Sequence, residues 1–314
     1  MSASTHGIHG IHHVTAIGGE PGANLNFYTH VLGLRLVKRT VNFDDPTTWH
    51  LYFGDRLGRP GTLMTFFPHP LARPGQAGSG EVARTAFAVP EGTLGNWHQR
   101  LEANGLAMRE TDVGGQIGLE VQDPHGTRLA LIETAGPDGV EPWAGHGVSA
   151  DMAMRGFDSV RLNVRDVQPT ATFLAEALGL PEVARHGDSR WFDVGDGQRI
   201  EVAPSADSRA QLGAGSVHHV ALRVPNDATQ LFMRARLIKT GVGVTDVQDR
   251  QYFRSIYFRE PGRVIFEIAT DVPGFAIDEA DAELGQAIKL PPWLESQRSV
   301  LEQSLPPLAK EMST

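Results

Sequence analysis

The chain has 314 residues, a formal net charge of −9, 40% hydrophobic residues and no cysteine. The acidic balance argues against a nucleic-acid or anionic-membrane partner, because both require a basic surface, and the absence of cysteine excludes disulfides, zinc–thiolate sites, iron–sulfur clusters and a cysteine nucleophile. The N-terminus has no signal-peptide pattern and no apolar run approaches the ~20 residues that span a bilayer, so we expect a soluble cytoplasmic protein of about two domains.

The first predicted elements form a short series. The segment IHHVTAI predicts a strand, and the segment after it predicts a helix with an apolar stripe that includes Phe27, Val31 and Leu32. Gly33 is expected to end this helix. Three further strands are predicted in RLVKRTVNF, TWHLYFGD and GTLMTFFP, so the order is one strand, one helix and three strands.

The same order recurs further along the chain, in copies of about fifty residues. The second copy begins at ARTAFAVP, the third at GFDSVRLNVRD and the fourth at SVHHVALRVP. Each continues with a helical segment and three strand-like segments. The chain is therefore expected to use one unit four times.

Linker composition places the domain boundaries. Residues 135–151 are rich in Gly and Pro and separate the second copy from the third. We predict an α+β fold of four βαβββ modules paired into two domains, residues 1–145 and residues 152–271, followed by a C-terminal extension at residues 272–314. The extension is expected to hold a short helix near residues 294–301 and to pack on the surface or serve as a lid.

Two His-His pairs stand out, His12–His13 in the first copy and His218–His219 in the fourth. Adjacent side chains on a strand point to opposite faces, so one His of each pair is expected to bind a metal and the other to act nearby. His13 and His219 hold the same place in their copies. They are therefore the candidate ligands.

The middle copies provide an internal control. The third copy has Ser159 at the place of the first copy's ligand, and the second has Arg84 at the place of the fourth copy's ligand. Neither residue replaces an imidazole. Glu267 in the last strand corresponds roughly to Leu131 of the second copy, whereas the third copy keeps Glu201 without a partner His and is expected to use it in a solvated or salt-bridged position.

Two histidines and one carboxylate with open positions form the facial triad of non-haem Fe(II) oxygenases, and Mn(II) or Zn(II) can occupy the same ligands. We therefore predict a metal site of His13, His219 and Glu267, shared by the first and fourth copies. All three residues lie on predicted strands, which hold a site rigidly. His50 is a weaker candidate for the pocket, and a plain strand position is favoured for it.

Six motifs carry a family resemblance: GIHHVTAI, FYTHVLGLRLVKRTVNFDDP, WHLYFGD, PGTLMTFFP, VHHVALRV and PPWLE. They resemble those of the glyoxalase-type ring-cleaving dioxygenases of the vicinal oxygen chelate superfamily, and within it the hydroquinone-cleaving group. The resemblance covers nearly the whole chain. The long second motif is specific to this group, whereas a lone His-Val strand is a weak signal.

The resemblance implies Fe(II) at the predicted triad and ring cleavage of a hydroquinone-like diphenol by O2. It also implies that His12 and His218 line the pocket, together with Arg250 and Tyr257 at the family's spacing before the carboxylate ligand. We expect His12 or His218 to move protons. Arg250 would stabilise the developing anion on oxygen, and Tyr257 would hydrogen-bond the substrate or oxygen.

Ordinary structural roles are open at two of these positions. Arg250 can form a salt bridge with Asp246 or Asp249, which are close in sequence. Tyr257 can be a core aromatic residue with a hydrogen-bonded tip.

Two other functions are open as well. One is a glyoxalase-like lyase or isomerase that uses zinc or nickel and a fourth protein ligand, although the last strand of the first copy, GTLMTFFP, lacks the carboxylate expected there. The other is a non-catalytic quinone- or drug-binding resistance protein, a class that usually lacks the metal triad. The expected partners are a small aromatic diphenol and O2, and a homo-oligomer is compatible with paired domains of this type.

Overall fold

The computed structural model describes residues 7–308 and contains all four predicted copies. The first copy comprises β1 (Ile11–Gly18), α1 (Pro21–Asn26) continued by a π-helical turn (Phe27–Val31), β2 (Arg35–Asn42), β3 (Asp45–Gly54) and β4 (Leu63–Pro68). The second comprises β5 (Glu81–Val89), α2 (Leu94–Ala103), β6 (Met108–Val113), β7 (Gln116–Gln122) and β8 (Arg128–Glu133). The third comprises β9 (Phe157–Val164), α3 (Val167–Thr172) continued by a π-helical turn (Phe173–Ala177), β10 (Glu182–His186), β11 (Ser189–Gly195) and β12 (Gln198–Pro204). The fourth comprises β13 (Val217–Val224), α4 (Asp227–Lys239), β14 (Gln248–Asp249), β15 (Arg254–Arg259) and β16 (Ile265–Thr270).

The named strands form two eight-stranded sheets, ordered β14-β15-β16-β13-β1-β4-β3-β2 and β10-β11-β12-β9-β5-β8-β7-β6. The first sheet joins the first and fourth copies through the antiparallel pair β1–β13, and the second joins the second and third copies through β5–β9. The predicted α+β fold of four βαβββ modules is confirmed. Each sheet takes strands from both sides of the boundary predicted between residues 145 and 152, and the division of the chain into two domains there stays a prediction.

Alternation along the strands separates a core face from a cavity face. In β3, Trp49, Leu51 and Phe53 pack in the hydrophobic core, whereas His50 and Tyr52 line a cavity on the other side of the strand. The sheet that joins the first and fourth copies therefore has one face with polar side chains, and the candidate site lies on that face.

Gly33 ends the first helical segment, as predicted. Its φ of 70° lies in the left-handed region that favours glycine, and a Cβ atom there would lie 2.5 Å from Cγ2 of Val148. The segment that precedes the third copy can therefore pack closely against the first copy.

The C-terminal extension packs along the first copy. The helix predicted near residues 294–301 is present as α5 (Arg298–Ser304). Lys38 on β2 is fully buried, and its Nζ donates to Oδ1 of Asp278 at 2.6 Å and to Glu279. Two carboxylates compensate this buried ammonium, so the start of the extension is held by an ion pair as well as by apolar contacts. Within residues 7–308, no helix has the length and apolar character to cross a membrane.

Candidate metal centre

Three ligand-type atoms meet on the sheet that joins the first and fourth copies. Nε2 of His13 lies 3.2 Å from Nε2 of His219 and 3.2 Å from Oε2 of Glu267, and Nε2 of His219 lies 2.9 Å from the same Oε2. The three side chains are buried, with exposed fractions of 2%, 5% and 0% in the order named. Within residues 7–308, no other group of three His, Asp or Glu side chains has the geometry of a metal site.

Strand register explains this convergence. His13 on β1 and Glu267 on β16 both pair with Ala221, which lies between them on β13. His219 is two residues before Ala221 on the same strand and therefore points to the same face. Because the alanine side chain is a single methyl group, the longer side chains on either side can meet above it.

The carboxylate of Glu267 presents one free oxygen to the histidines. Ser255 on β15 donates a short hydrogen bond to Oε1, whereas Oε2 is buried and has no well-formed hydrogen bond although two imidazole nitrogens lie within 3.2 Å. Burial opposes ionisation of Glu267, but His13 and His219 hold its pKa well below the usual range. A charged, buried oxygen that faces two ring nitrogens fits a divalent cation, since one ion would satisfy all three atoms.

Each candidate ligand histidine contacts its neighbour through its second ring nitrogen. Nδ1 of His13 lies 2.9 Å from Nδ1 of His12, and Nδ1 of His219 lies 2.8 Å from Nδ1 of His218. These contacts orient the rings and leave both Nε2 atoms for a metal. Burial lowers the pKa of His219 and the pKa of His12, and it lowers the pKa of His218 to about 3. These three rings are therefore neutral near pH 7, the form that coordinates a metal.

Loss of the Ser255 hydroxyl is expected to weaken metal binding without abolishing it. Ser255→Ala leaves Oε1 of Glu267 without its donor, and loss of such an outer partner lowers metal affinity by about 10–100-fold. A competition titration against a chelator measures the affinity. Ser159→Ala, a buried serine in the second sheet, is the matched control and should keep wild-type affinity. Equal affinities for wild type and Ser255→Ala would mean that the backbone alone positions Glu267.

Two of the candidate ligands, His13 and His219, line a cavity of about 790 Å³. Its walls include apolar surface from Ile17, Phe67 and Phe253, beside His13 and His219. Cavities of this size, mostly apolar with a few polar groups, are typical of sites for small ligands. A single aromatic ring fits this space.

Arg250 and Tyr257 line this cavity, as the sequence motifs imply. Nε of Arg250 donates to Oη of Tyr257 at 3.1 Å, and the guanidinium forms a bidentate pair with Asp44 of the first copy at 3.2 and 2.8 Å. A salt bridge of Arg250 with Asp246 or Asp249 is therefore wrong, because the partner comes from the other end of the chain. Burial raises the pKa of Tyr257, so its hydroxyl stays protonated and can donate.

His12 and His218, the other two residues predicted to line the pocket, differ in position. His218 lines the cavity, but His12 is not among the residues of the cavity wall. The His12 ring packs 4.9 Å from the Phe253 ring, and the residue is only 2% exposed. The expectation that both histidines line the pocket is wrong for His12, because its ring packs behind Phe253, which itself lines the cavity. A catalytic role for either residue stays a prediction.

Several residues of the site were not predicted. Asp44, Ser255 and Ala221 were missed, and His50 faces the cavity although a plain strand position was favoured. The signal for His50 is the alternation in TWHLYFGD. Since Trp49, Leu51 and Phe53 occupy the core face, His50 and Tyr52 must share the other face.

The second sheet repeats this arrangement without the ligands. By strand register, the places of His13, Ala221, His219 and Glu267 are taken by Arg84, Arg161, Ser159 and Glu201. Nη2 of Arg84 lies 3.2 Å from Oε2 of Glu201, and Nη1 of Arg161 lies 2.8 Å from Oε1. Guanidinium groups therefore contact the carboxylate of Glu201, whereas imidazoles face the carboxylate of Glu267. These ion pairs account for the burial of Glu201 without a partner His. Because the two copies in each sheet are related by an approximate twofold, the register also allows the match of the sequence comparison, with Ser159 at the place of His13 and Arg84 at the place of His219.

Fold and candidate site together define a class of protein built from paired βαβββ modules, in which two modules share one set of candidate metal ligands. The chain belongs to the glyoxalase/bleomycin resistance protein/dioxygenase superfamily, whose family model matches residues 10–131 and 156–268. The family and the fold implied by the sequence motifs are thereby confirmed.

Relatives extend over nearly the whole chain. A protein of Bacillus subtilis (strain 168) named "Putative ring-cleaving dioxygenase MhqO" is 44% identical over 300 residues, which cover 95% of this chain and 96% of the relative. The "Chlorohydroquinone/hydroquinone 1,2-dioxygenase" of Sphingobium indicum is 33% identical over 307 residues, which cover 94% and 95%. A Bacillus subtilis crystal structure titled "putative dioxygenase" superimposes with a TM-score of 0.93 at 43% identity and covers 96% of this chain and 98% of that chain.

Proposed function

We propose that this chain is an Fe(II)-dependent, extradiol-type ring-cleaving dioxygenase that acts on hydroquinone-like diphenols with O2. The observation that carries the proposal is the three-ligand set of His13, His219 and Glu267, whose two histidines line a cavity large enough for one aromatic ring. Such a set leaves coordination positions for a substrate and for O2. The names of the two relatives support this reaction class.

Thr65 supports an open site rather than a four-ligand site. The first and fourth copies can be exchanged about the β1–β13 pair. Thr65 pairs with Thr15 on β1 in the same way that Glu267 pairs with Ala221 on β13. In this exchange, Thr65 takes the place of Glu267. The fourth carboxylate ligand expected of a glyoxalase-like lyase therefore has a threonine in its place. This observation favours oxygen chemistry over the lyase, and the buried ligand set favours an enzyme over a non-catalytic binding protein.

In the proposed reaction, the bond between a hydroxyl-bearing ring carbon and its neighbour breaks, and both atoms of O2 enter the product. One carbon becomes a carboxylic acid and the other an aldehyde. The ring supplies all the electrons that O2 takes up, so no other reductant is required. Fe(II), when bound by the three ligands, would supply the charge transfer between the diphenolate and O2.

The side chains around the ligands would handle protons and charge. His218 would accept the proton that the diphenol loses, since its ring lines the cavity beside the candidate ligand His219. Arg250 would stabilise negative charge as it develops on oxygen. Tyr257 would donate to the substrate or to O2. His12 would contribute through Nδ1 of His13, as a positioning residue rather than as a wall of the cavity.

The proposal also includes the setting of the enzyme. A cytoplasmic location fits the absence of cysteine, and the net charge of −9 fits a protein without a nucleic-acid or membrane partner. The proposed partners are then the diphenol and O2. Assembly as a homo-oligomer stays a prediction.

Oxygen uptake after anaerobic reconstitution with Fe(II) tests the proposal. We expect uptake with 2-methylhydroquinone that exceeds the autoxidation measured with metal-free protein. Uptake with catechol alone would keep the dioxygenase and overturn the substrate class. No uptake with either diphenol by protein that holds one equivalent of iron would overturn the proposed function.

A further inference from the structure

A hydrogen-bond chain that the proposed function does not use crosses three strands beside the metal site. Oη of Tyr52 lies 2.9 Å from Nδ1 of His50, and Nε2 of His50 lies 3.0 Å from Oγ1 of Thr65. Oγ1 of Thr65 in turn lies 2.7 Å from Oγ1 of Thr15. Both threonines and Tyr52 are almost fully buried, whereas the cavity wall includes His50 and Tyr52. The chain therefore meets the cavity at its tyrosine end.

The position of Tyr52 follows from strand register. Tyr52 on β3 pairs with Thr65 on β4, Thr65 pairs with Thr15 on β1, and Thr15 pairs with His219 on β13. Tyr52 thus reaches the cavity from a strand near one edge of the sheet. Tyr257 reaches it from β15, near the other edge, and its ring lies 5.7 Å from the ring of His219. Tyr52 and Tyr257 therefore face the cavity from strands of the first and fourth copies, respectively.

The chain allows the Tyr52 hydroxyl to serve as donor or as acceptor. Burial lowers the pKa of His50 well below its usual range, so the ring carries one N–H and one acceptor nitrogen. When Nδ1 carries the proton, it donates to Tyr52, and the Tyr52 hydroxyl can donate into the cavity. When Nε2 carries the proton, it donates to Thr65, and Tyr52 donates to His50 and offers its lone pairs to the cavity. Tyr52 can therefore bind an ionised or a neutral phenol oxygen.

We propose that Tyr52 is a further substrate-binding residue, whose hydroxyl hydrogen-bonds the second hydroxyl of a para-diphenol, the one that does not bind the metal. His50 orients this hydroxyl and is a positioning residue. The inference rests on the proposed function. The two oxygens of a para-diphenol lie on opposite sides of the ring, whereas those of catechol are adjacent and both lie beside the metal. Tyr257 already accepts a hydrogen bond from Arg250, so Tyr52 offers the second oxygen a hydroxyl from a separate strand of the cavity wall.

The test compares two substrates in matched tyrosine variants. For Tyr52→Phe we expect kcat/KM for 2-methylhydroquinone to fall by about 10–100-fold, because the substrate hydroxyl loses its partner in a site built to bind it. The value for catechol should change less than about threefold by the same argument. Tyr28→Phe is the control, since Tyr28 is a fully buried tyrosine of the same copy whose hydroxyl bonds Asp123 outside the cavity. Thr65→Val, which removes the partner of His50, should shift the substrate ratio in the same direction by a smaller factor.

Anaerobic titration of the metal-loaded proteins with both diphenols separates this inference from the proposed function. Weaker binding of 2-methylhydroquinone by Tyr52→Phe, with catechol unchanged, supports the role of Tyr52 even if wild type consumes no O2. Equal ratios for the two diphenols in wild type and Tyr52→Phe overturn the inference and leave the dioxygenase intact. Absence of diphenol binding by wild type overturns both.

Discussion

Glu267→Gln is expected to remove the metal from the protein and, with it, the oxygen uptake. The substitution keeps the shape of the side chain and its bond to Ser255, but replaces a buried anion by a neutral amide. Two imidazoles and an amide form a much weaker set for a hard divalent cation than two imidazoles and a carboxylate. Since a catalytic metal contributes several kcal/mol, we expect kcat/KM to fall by about 10³-fold or more.

The second sheet supplies the control for this experiment. Glu201 takes the place of Glu267 by register but is bonded by two arginines instead of facing two imidazoles. Glu201→Gln should therefore keep one metal per chain and full activity, whatever it does to stability. Metal content by mass spectrometry after reconstitution distinguishes the two variants. Retention of the metal by Glu267→Gln would contradict the assignment of this carboxylate as a ligand.

Arg84→Met is expected to destabilise the protein without changing its metal content. Arg84 is 6% exposed and Glu201 is 4% exposed, so the substitution leaves a buried carboxylate facing Arg161 alone. Removal of one partner of a buried ion pair typically costs about 3–5 kcal/mol, because the remaining charge is uncompensated. Urea denaturation of the metal-loaded protein measures the change in the free energy of unfolding.

A double variant decides whether the uncompensated charge is the cause. Arg84→Met combined with Glu201→Leu removes the charge as well as its partner, and should recover most of the lost stability. Metal content and activity should be unchanged in both variants. A loss below about 1 kcal/mol in Arg84→Met, the size of an ordinary substitution, would contradict the view that this pair fills the second sheet's counterpart of the metal site.

The sequence was sufficient to predict that the three candidate ligands meet, because three kinds of signal agreed. The fourfold repeat fixed which positions correspond, and the His-His pairs occur in the first and fourth copies. Glu267 has a ligand-type side chain in the last strand of one of those copies. The structure brings His13, His219 and Glu267 together within 3.2 Å, as predicted.

The sequence was not sufficient for contacts that depend on register between distant strands. The pair of Arg250 with Asp44 joins residues from the two ends of the chain, so no local pattern could indicate it. Ala221 matters only because His13 and Glu267 both pair with it, which requires the strand order of the folded sheet. For the same reason, the position of His12 behind the cavity wall could not be derived from a His-His motif that is equally present in both copies.

The most direct measurement is the mass of the product formed from 2-methylhydroquinone by the Fe(II)-loaded protein under isotopically labelled O2. Oxygen uptake alone does not separate ring cleavage from oxidation of the hydroquinone to its quinone. The account predicts a product that retains all carbon and hydrogen atoms of the substrate and gains two oxygen atoms, with label incorporated from O2. A product that has lost two hydrogen atoms and gained no oxygen would contradict ring cleavage at the site shared by the two ends of this chain.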